Sequence, residues 1–188
     1  MKDNKVLRIL LDIILIILGI IFLVFGIRDL KDKIDASRVE DNVKFKKDYS
    51  YVSKDNIYKY TDLKEISKML DNGVYVILVG NQKDSWTQIL VSPLNDTVKS
   101  NKIKNIYYLD TKSINTSDKN YSNVLSKLKI DDFKVPSIIF IKNNKINIVN
   151  KDDIYDKDYK DAPIEYWTEE KLEDFNELIT KNINKNQE

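Results

Sequence analysis

The sequence predicts an α/β domain, with a central mixed sheet and helices on both faces, preceded by one transmembrane helix. An apolar run over residues 9–27 contains a single charged residue, Asp12, and predicts the membrane span. Further along, short runs rich in β-branched and aromatic residues are interleaved with segments whose apolar residues recur every three or four positions. These strand and helix patterns together indicate the α/β class.

The N-terminal segment is expected to anchor the chain in a membrane. Residues 1–8 form a short charged tail, and residues 9–27 are apolar except for Asp12 and two glycines. As a helix this run is about 28 Å long, enough to cross the hydrocarbon core. Asp12 lies one turn inside, where its carboxylate can reach the headgroup region. A cleaved signal peptide is the alternative, but no good cleavage site follows directly after Ile27, which favours an uncleaved anchor.

Charge does not orient this helix. The basic residues before it, counted with the amino terminus, equal those after it, so the positive-inside rule gives no direction. These residues are Lys2, Lys5 and Arg8 on one side and Arg28, Lys31, Lys33 and Arg38 on the other.

Residues 28–50 are interpreted as a charged juxtamembrane linker. Acidic and basic residues alternate closely there, and the scattered Ile34, Val39 and Val43 make no stripe wide enough for a core. The folded domain is therefore predicted to span residues 51–188.

The predicted domain begins with a strand, a helix and a buried strand. A first strand is expected near Tyr51–Tyr60. Thr61–Asp71 places four apolar residues on one helical face, with Gly73 just past its end. Val74–Val79 is β-branched and aromatic and lies between two glycines, which is typical of a strand covered on both faces.

A second helix is expected to open near Ser85, with Pro93 inside its apolar pattern. The aromatic and branched run Ile106–Asp110 predicts another strand. The remaining predicted elements are a helix within Ile114–Ile130, two strands around an Asn143–Asn144 turn, the second being Lys145–Val149, and a closing helix over Thr168–Ile183.

The buried strand, the helix opening near Ser85 and a proline eight residues later resemble the active-site segment of thioredoxins. In that family the helix opens with C-x-x-C, and here Ser85 and Gln88 stand at the two cysteine positions. A second match is Val135–Pro136–Ser137, followed by an apolar strand and the Asn143–Asn144 turn, which resembles the cis-proline segment of the family. The resemblance implies a thioredoxin-like fold and a cis bond at Val135–Pro136.

Within that superfamily the chain most resembles the membrane-anchored bacteriocin transport accessory group. Proteins of this architecture usually face outward. The resemblance therefore implies a single-pass protein of the cell membrane with its soluble domain outside the cytoplasm.

Composition excludes several functions. The chain has no cysteine and no histidine, which removes thiol-disulfide chemistry, sulfur metal sites, and the usual general base and metal ligand. Its 31 basic and 30 acidic residues nearly cancel, which argues against nucleic acid as a partner. We expect no cofactor and no metal.

By resemblance, the groove that forms the active site in thioredoxins is predicted to bind a peptide in this chain. By resemblance, the backbone of Val135 would bind an extended peptide by strand addition, and Pro136 and Ser137 would form the floor. Trp86 is expected to offer exposed apolar area at the rim. The expected partner is a protein or peptide at the membrane.

Other candidate sites in the sequence are weaker. Ser85 could be a nucleophile, but the only ionisable neighbours are Lys83 and Asp84. An aspartate-rich run over residues 152–161 lacks the glycine and the terminal glutamate of a calcium loop. The aromatic residues of the same region suggest either a lid on the core or a partner surface, and both remain open.

The sequence thus predicts a redox-inactive accessory protein that assists export or assembly of a peptide or membrane complex. An immunity-type factor that protects a producing cell from its own peptide is the alternative. A non-redox enzyme of unknown reaction is the other.

Overall fold

A computed structural model describes residues 18, 19, 22, 25–27, 41–156, 158–163 and 165–185. The chain divides into two units, Met1–Glu40 and Asp41–Glu188. The predicted tail, most of the predicted transmembrane run and residues 28–40 of the predicted linker lie outside the described residues. Within the described ranges, no helix has both the length and the apolar character needed to cross a membrane.

The second unit contains five strands and six α-helices among its described residues, and most follow the sequence patterns. The predicted strands at Val74–Val79 and Ile106–Asp110 are confirmed, as is the helix that opens at Ser85. In chain order the elements are α1 (residues 41–48), β1 (Tyr58–Tyr60), α2 (Leu63–Met69), β2 (Val74–Gly80), α3 (Ser85–Ser100), β3 (Ile106–Asp110), a 3-10 turn (Thr111–Ser113), α4 (Lys119–Leu128), β4 (Ser137–Lys142), β5 (Lys145–Asn150), α5 (Lys151–Ile154) and α6 (Glu169–Lys185).

The five strands form one mixed sheet in the order β1-β3-β2-β4-β5. β3 runs parallel to both β1 and β2, whereas β4 runs antiparallel to its neighbours β2 and β5. Asn143 and Asn144 join β4 to β5 with φ angles of 49° and 65°. Asparagine tolerates this left-handed region better than most residues, which suits a two-residue hairpin turn.

Alternate residues of the sheet enter two separate cores. Val76 and Leu78 of β2 face the core covered by α1, α3 and α6, and Ile77 and Val79 face the core covered by α2 and α4. All four are at most 1% exposed. Burial of each such side chain stabilises the fold by about 1.5–3 kcal/mol. Because helices cover both faces of β2, side chains on both faces are apolar, which explains the continuous apolar run in the sequence. The expectation of a central mixed sheet with helices on both faces is confirmed.

The packed unit starts earlier than the boundary predicted at residue 51. Phe45 of α1 is fully buried and stacks on Tyr58, with ring centroids 3.8 Å apart. Tyr49 is 2% exposed, and its hydroxyl lies 2.5 Å from that of Tyr108. Burial, with Tyr108 beside it, raises the pKa of Tyr49 well above its ordinary value. The segment of residues 41–50 therefore contributes Phe45 and Tyr49 to the core, although the sequence suggested a linker.

The first strand is shorter than the Tyr51–Tyr60 expected. Polar turns occupy the preceding residues: the Asn56 side chain donates to the carbonyls of Asn42 and Ser53 and accepts from the Tyr58 N–H. An asparagine that bonds nearby backbone in this way competes with a strand ladder. Only Tyr58–Tyr60 pair with β3.

Candidate functional site

The candidate site lies where β2 ends and α3 begins. Asp84, not Ser85, caps the helix: its Oδ2 atom accepts from the Thr87 N–H at 2.6 Å and the Thr87 hydroxyl at 2.7 Å. The Asn81 side chain accepts from the Lys83 N–H, which fixes the turn before the cap. An aspartate at this position satisfies free helix N–H groups and complements the positive helix end.

The segment before β4 approaches the same edge of the sheet. Ser137 pairs with Val79, so Val135 and Pro136 continue past the ladder beside the end of β2. The Val135–Pro136 bond is cis, as predicted from the sequence. Pro136 is buried, Ser137 is 3% exposed, and Val135 is half-buried.

Ser85 and Gln88 lie half-buried in the first turn of α3. The Ser85 hydroxyl accepts from the Ala162 N–H at 3.2 Å, and the Gln88 amide donates to the Gln82 carbonyl at 2.8 Å. The Asp84 carboxylate is committed to Thr87 and does not serve Ser85 as a base. The arrangement offers hydrogen-bonding groups and an apolar wall to a bound molecule.

Trp86 does not form an exposed rim, and this sequence-based expectation is wrong. The side chain is 1% exposed and packs against Tyr155 and Tyr166, with centroid distances of 4.2 and 5.2 Å. Its indole N–H points to the Lys160 carbonyl at 3.4 Å, and the Lys151 ammonium lies 5.0 Å from its ring. Trp86 is a core residue of the face that α3 covers.

The segment between α5 and α6 is what buries Trp86. Tyr155 donates its hydroxyl to the Trp86 carbonyl at 3.0 Å, and Trp167 donates its indole N–H to the Ile89 carbonyl at 2.8 Å. Burial raises the pKa of Tyr155 well above its ordinary value. Of the two interpretations left open for these aromatic residues, the lid on the core is the one that the contacts support.

Two clefts open beside the first turns of α3. One has a volume of about 460 Å³ and is mainly apolar; the other, of about 440 Å³, is mainly polar. Ser85 and Gln88 both line the apolar cleft, so the two positions that the sequence resemblance places at the C-x-x-C motif meet a common space. Among the described residues, no group of three or more acidic side chains could hold a metal ion.

Neither a protein-family model nor a curated protein matches this chain. The candidate site is therefore inferred from the contacts of its own residues and not from relatives.

Sequence reasoning found the helix start and the proline but missed the cleft walls. Tyr51 lines both clefts and Leu172 of α6 lines the apolar one, although neither was singled out from the sequence. The density of aromatic residues at 155–167 was the available signal, and it could not indicate on which side of α3 the segment would fold.

Proposed function

We propose that this protein is a redox-inactive, thioredoxin-like binding protein, held at the cell membrane by residues 9–27 with its domain outside the cytoplasm. It assists the export or assembly of a peptide or a membrane complex. A central mixed sheet covered on both faces, a helix that opens directly after β2, and a proline directly before β4 support the thioredoxin-like assignment. The absence of cysteine excludes thiol–disulfide exchange by this chain itself.

The backbone of Val135 carries the binding proposal. Neither its N–H nor its C=O is hydrogen-bonded to any residue that the structure describes, and the β2–β4 ladder stops at Ser137. A half-buried residue with free backbone groups at the end of a strand can pair with an extended peptide. The partner would thereby extend the hydrogen bonding of the sheet past Ser137.

Binding of this kind is weak and gains from a membrane anchor. A net backbone hydrogen bond contributes about 0.5–1.5 kcal/mol. Two such bonds at Val135 and one apolar contact therefore sum to less than the roughly 8 kcal/mol of a micromolar complex. Confinement beside a membrane-bound partner raises the effective concentration without any new contact. Transient encounters then become frequent enough to assist assembly.

Site-specific photo-crosslinking in cells tests this function. A photoreactive amino acid replaces Lys134, which is exposed and precedes Val135; the control position is Lys102, which is exposed at the other end of α3. We expect discrete adducts with a membrane or secreted protein from position 134 only. Equal labelling from both positions, or none from position 134, would refute peptide binding at Val135.

One further observation separates the accessory role from immunity. Cells that carry only this protein should stay sensitive to a co-encoded peptide if the protein assists export. Protection by this protein alone would favour the immunity-type factor.

A further inference from the structure

The apolar cleft and the polar cleft meet beside the first turns of α3. They share Tyr51 and Gln88 in their walls, so they form one continuous surface. Tyr51 is 67% exposed, which is unusual for so large a ring and leaves it free to contact a partner. Both clefts lie in the unit Asp41–Glu188.

The apolar cleft is built by α3 on one side, and by α6 and the segment between α5 and α6 on the other. Ile89 and Pro93 face Ala162, Trp167 and Leu172 across it. A cavity of about 150 Å³ holds benzene, so about 460 Å³ accepts an apolar side chain with space left for its backbone. Clefts of about 300–1,000 Å³ with apolar walls and a few polar groups are the usual form of binding sites.

The polar cleft carries an unbalanced positive charge. Lys47, Lys83 and Lys112 line it and are exposed, and none of the three ammonium groups is ion-paired with a described residue. Asp48 is the sole acid in this lining, and its carboxylate accepts from the Tyr60 hydroxyl. Two acids lie just outside the lining: Asp84 accepts from Thr87, and Asp110 accepts from the Lys112 N–H. Within the cleft itself three exposed ammonium groups face one acid, and this local excess attracts a negatively charged group.

We propose that the joined clefts bind an extended acidic segment of a partner protein. An apolar side chain of that segment enters the cleft between α3 and α6, and neighbouring carboxylates lie against Lys47, Lys83 and Lys112. Tyr51 and Gln88 contact the backbone between the two. Binding at this surface does not require strand addition at Val135. A negative result at either surface therefore leaves the proposal for the other one unchanged.

A peptide fits this surface better than an anionic bilayer does. The lysine-lined cleft continues into an apolar one, whereas attraction of a basic cluster to anionic headgroups requires no adjoining apolar cleft. The apolar cleft also has Asp96 in its wall, which would repel a phosphate or carboxylate placed deep inside it. The arrangement therefore demands an occupant whose apolar and acidic groups are separated along a chain.

Fluorescence anisotropy with the full-length protein tests this assignment. The probes are three labelled peptides of equal length that contain leucines, with glutamate, glutamine or lysine at the remaining positions. We expect the glutamate peptide to bind with a Kd of tens of micromolar and the glutamine peptide about tenfold more weakly. Raising NaCl from about 0.05 M to about 0.5 M should abolish most of this difference, because exposed charges are screened.

A matched pair of triple variants locates the site. Lys47→Gln, Lys83→Gln and Lys112→Gln together should weaken the glutamate peptide about tenfold and leave the glutamine peptide unchanged. Lys102→Gln, Lys145→Gln and Lys181→Gln remove the same charge elsewhere and should have no effect. Equal losses in both variants, or no loss in the first, would overturn the proposal.

Three further outcomes also decide against it. Preference for the lysine peptide would mean that Asp96 and other acids dominate the surface. Binding to anionic lipid vesicles that depends on the same three lysines, with no binding of the glutamate peptide, would assign the surface to a membrane. Leu172→Ser should weaken the glutamate and glutamine peptides alike, and unchanged binding would remove the apolar cleft from the site.

Discussion

Replacing Trp86 by alanine separates the buried position seen in the structure from the exposed one suggested by the sequence. An indole of this kind buries about 200 Å² of surface, which at about 25 cal/mol/Å² gives an upper estimate of about 5 kcal/mol. Its rings also pack against Tyr155 and Tyr166. We therefore expect Trp86→Ala to lower the free energy of unfolding by about 3–5 kcal/mol.

Urea denaturation followed by far-UV circular dichroism measures this loss. Since domains of this size are stable by only about 5–15 kcal/mol, Trp86→Phe is the milder companion, with an expected loss of about 1–2 kcal/mol. Tyr159→Ala is the control in the same segment, because Tyr159 is 46% exposed and should cost less than about 1 kcal/mol.

Hydrogen exchange adds a local measurement. The Ala162 N–H donates to Ser85 and the Asp156 N–H donates to Tyr166, so both amides are protected while the segment between α5 and α6 stays packed on Trp86. In Trp86→Phe both amides should exchange faster than in the unsubstituted protein, and this increase should exceed that of the β2 amides. A loss of less than about 0.5 kcal/mol for Trp86→Ala would refute the buried position, since exposed substitutions have effects of that size.

The remaining predictions concern the hairpin, the tyrosine core and the helix cap. Asn144→Ala should cost about 1 kcal/mol in urea denaturation because, at its φ of 65°, alanine lacks the short polar side chain that lets asparagine tolerate the left-handed region, and an unchanged midpoint would refute that turn geometry. Burial raises the pKa of Tyr49 and of Tyr58, so the folded state keeps protons that the unfolded chain releases above about pH 10. The contribution of these two tyrosines to the free energy of unfolding is fully present below about pH 10 and falls by about 1.4 kcal/mol per pH unit per tyrosine above it. A urea midpoint that stays constant to about pH 11 would contradict this burial. Asp84→Ala should cost about 1–2 kcal/mol, whereas Asp84→Asn should restore most of it; equal losses would mean that Asp84 does not act as a cap.

The strands and helices were predictable because their residues carry a local signal. The β-branched run of β2 must be buried on both faces, and the alternation of its side chains between two cores follows from strand geometry. The cis bond at Val135–Pro136 was expected from family resemblance and lies before β4 as predicted.

What the sequence could not supply was the packing of segments with mixed polarity. Phe45 and Tyr49 lie four residues apart, and the Tyr49 N–H donates to the Phe45 carbonyl at the end of α1, but the surrounding lysines and aspartates suggested a solvated linker. Trp86 looked like a surface residue because its neighbours at the helix start are polar. Its burial depends on Tyr155 and Tyr166, which are distant in sequence, and no local pattern reports such a contact.

The most direct test of the proposed thioredoxin-like scaffold is to place thiols at the two positions that the C-x-x-C motif would occupy. Ser85→Cys with Gln88→Cys places two thiols in the first turn of α3, where Asp84 before them has an extended backbone and the helix start can adjust. Ile89→Cys with Ser92→Cys is the matched control, since it has the same spacing in mid-helix, where Cβ atoms are about 5–6 Å apart and too distant for a relaxed disulfide. We predict, by mass spectrometry and thiol titration, that the first pair closes an intramolecular disulfide readily and the second does not. Two free thiols in the first pair after mild oxidation, or equal oxidation of both pairs, would contradict the account.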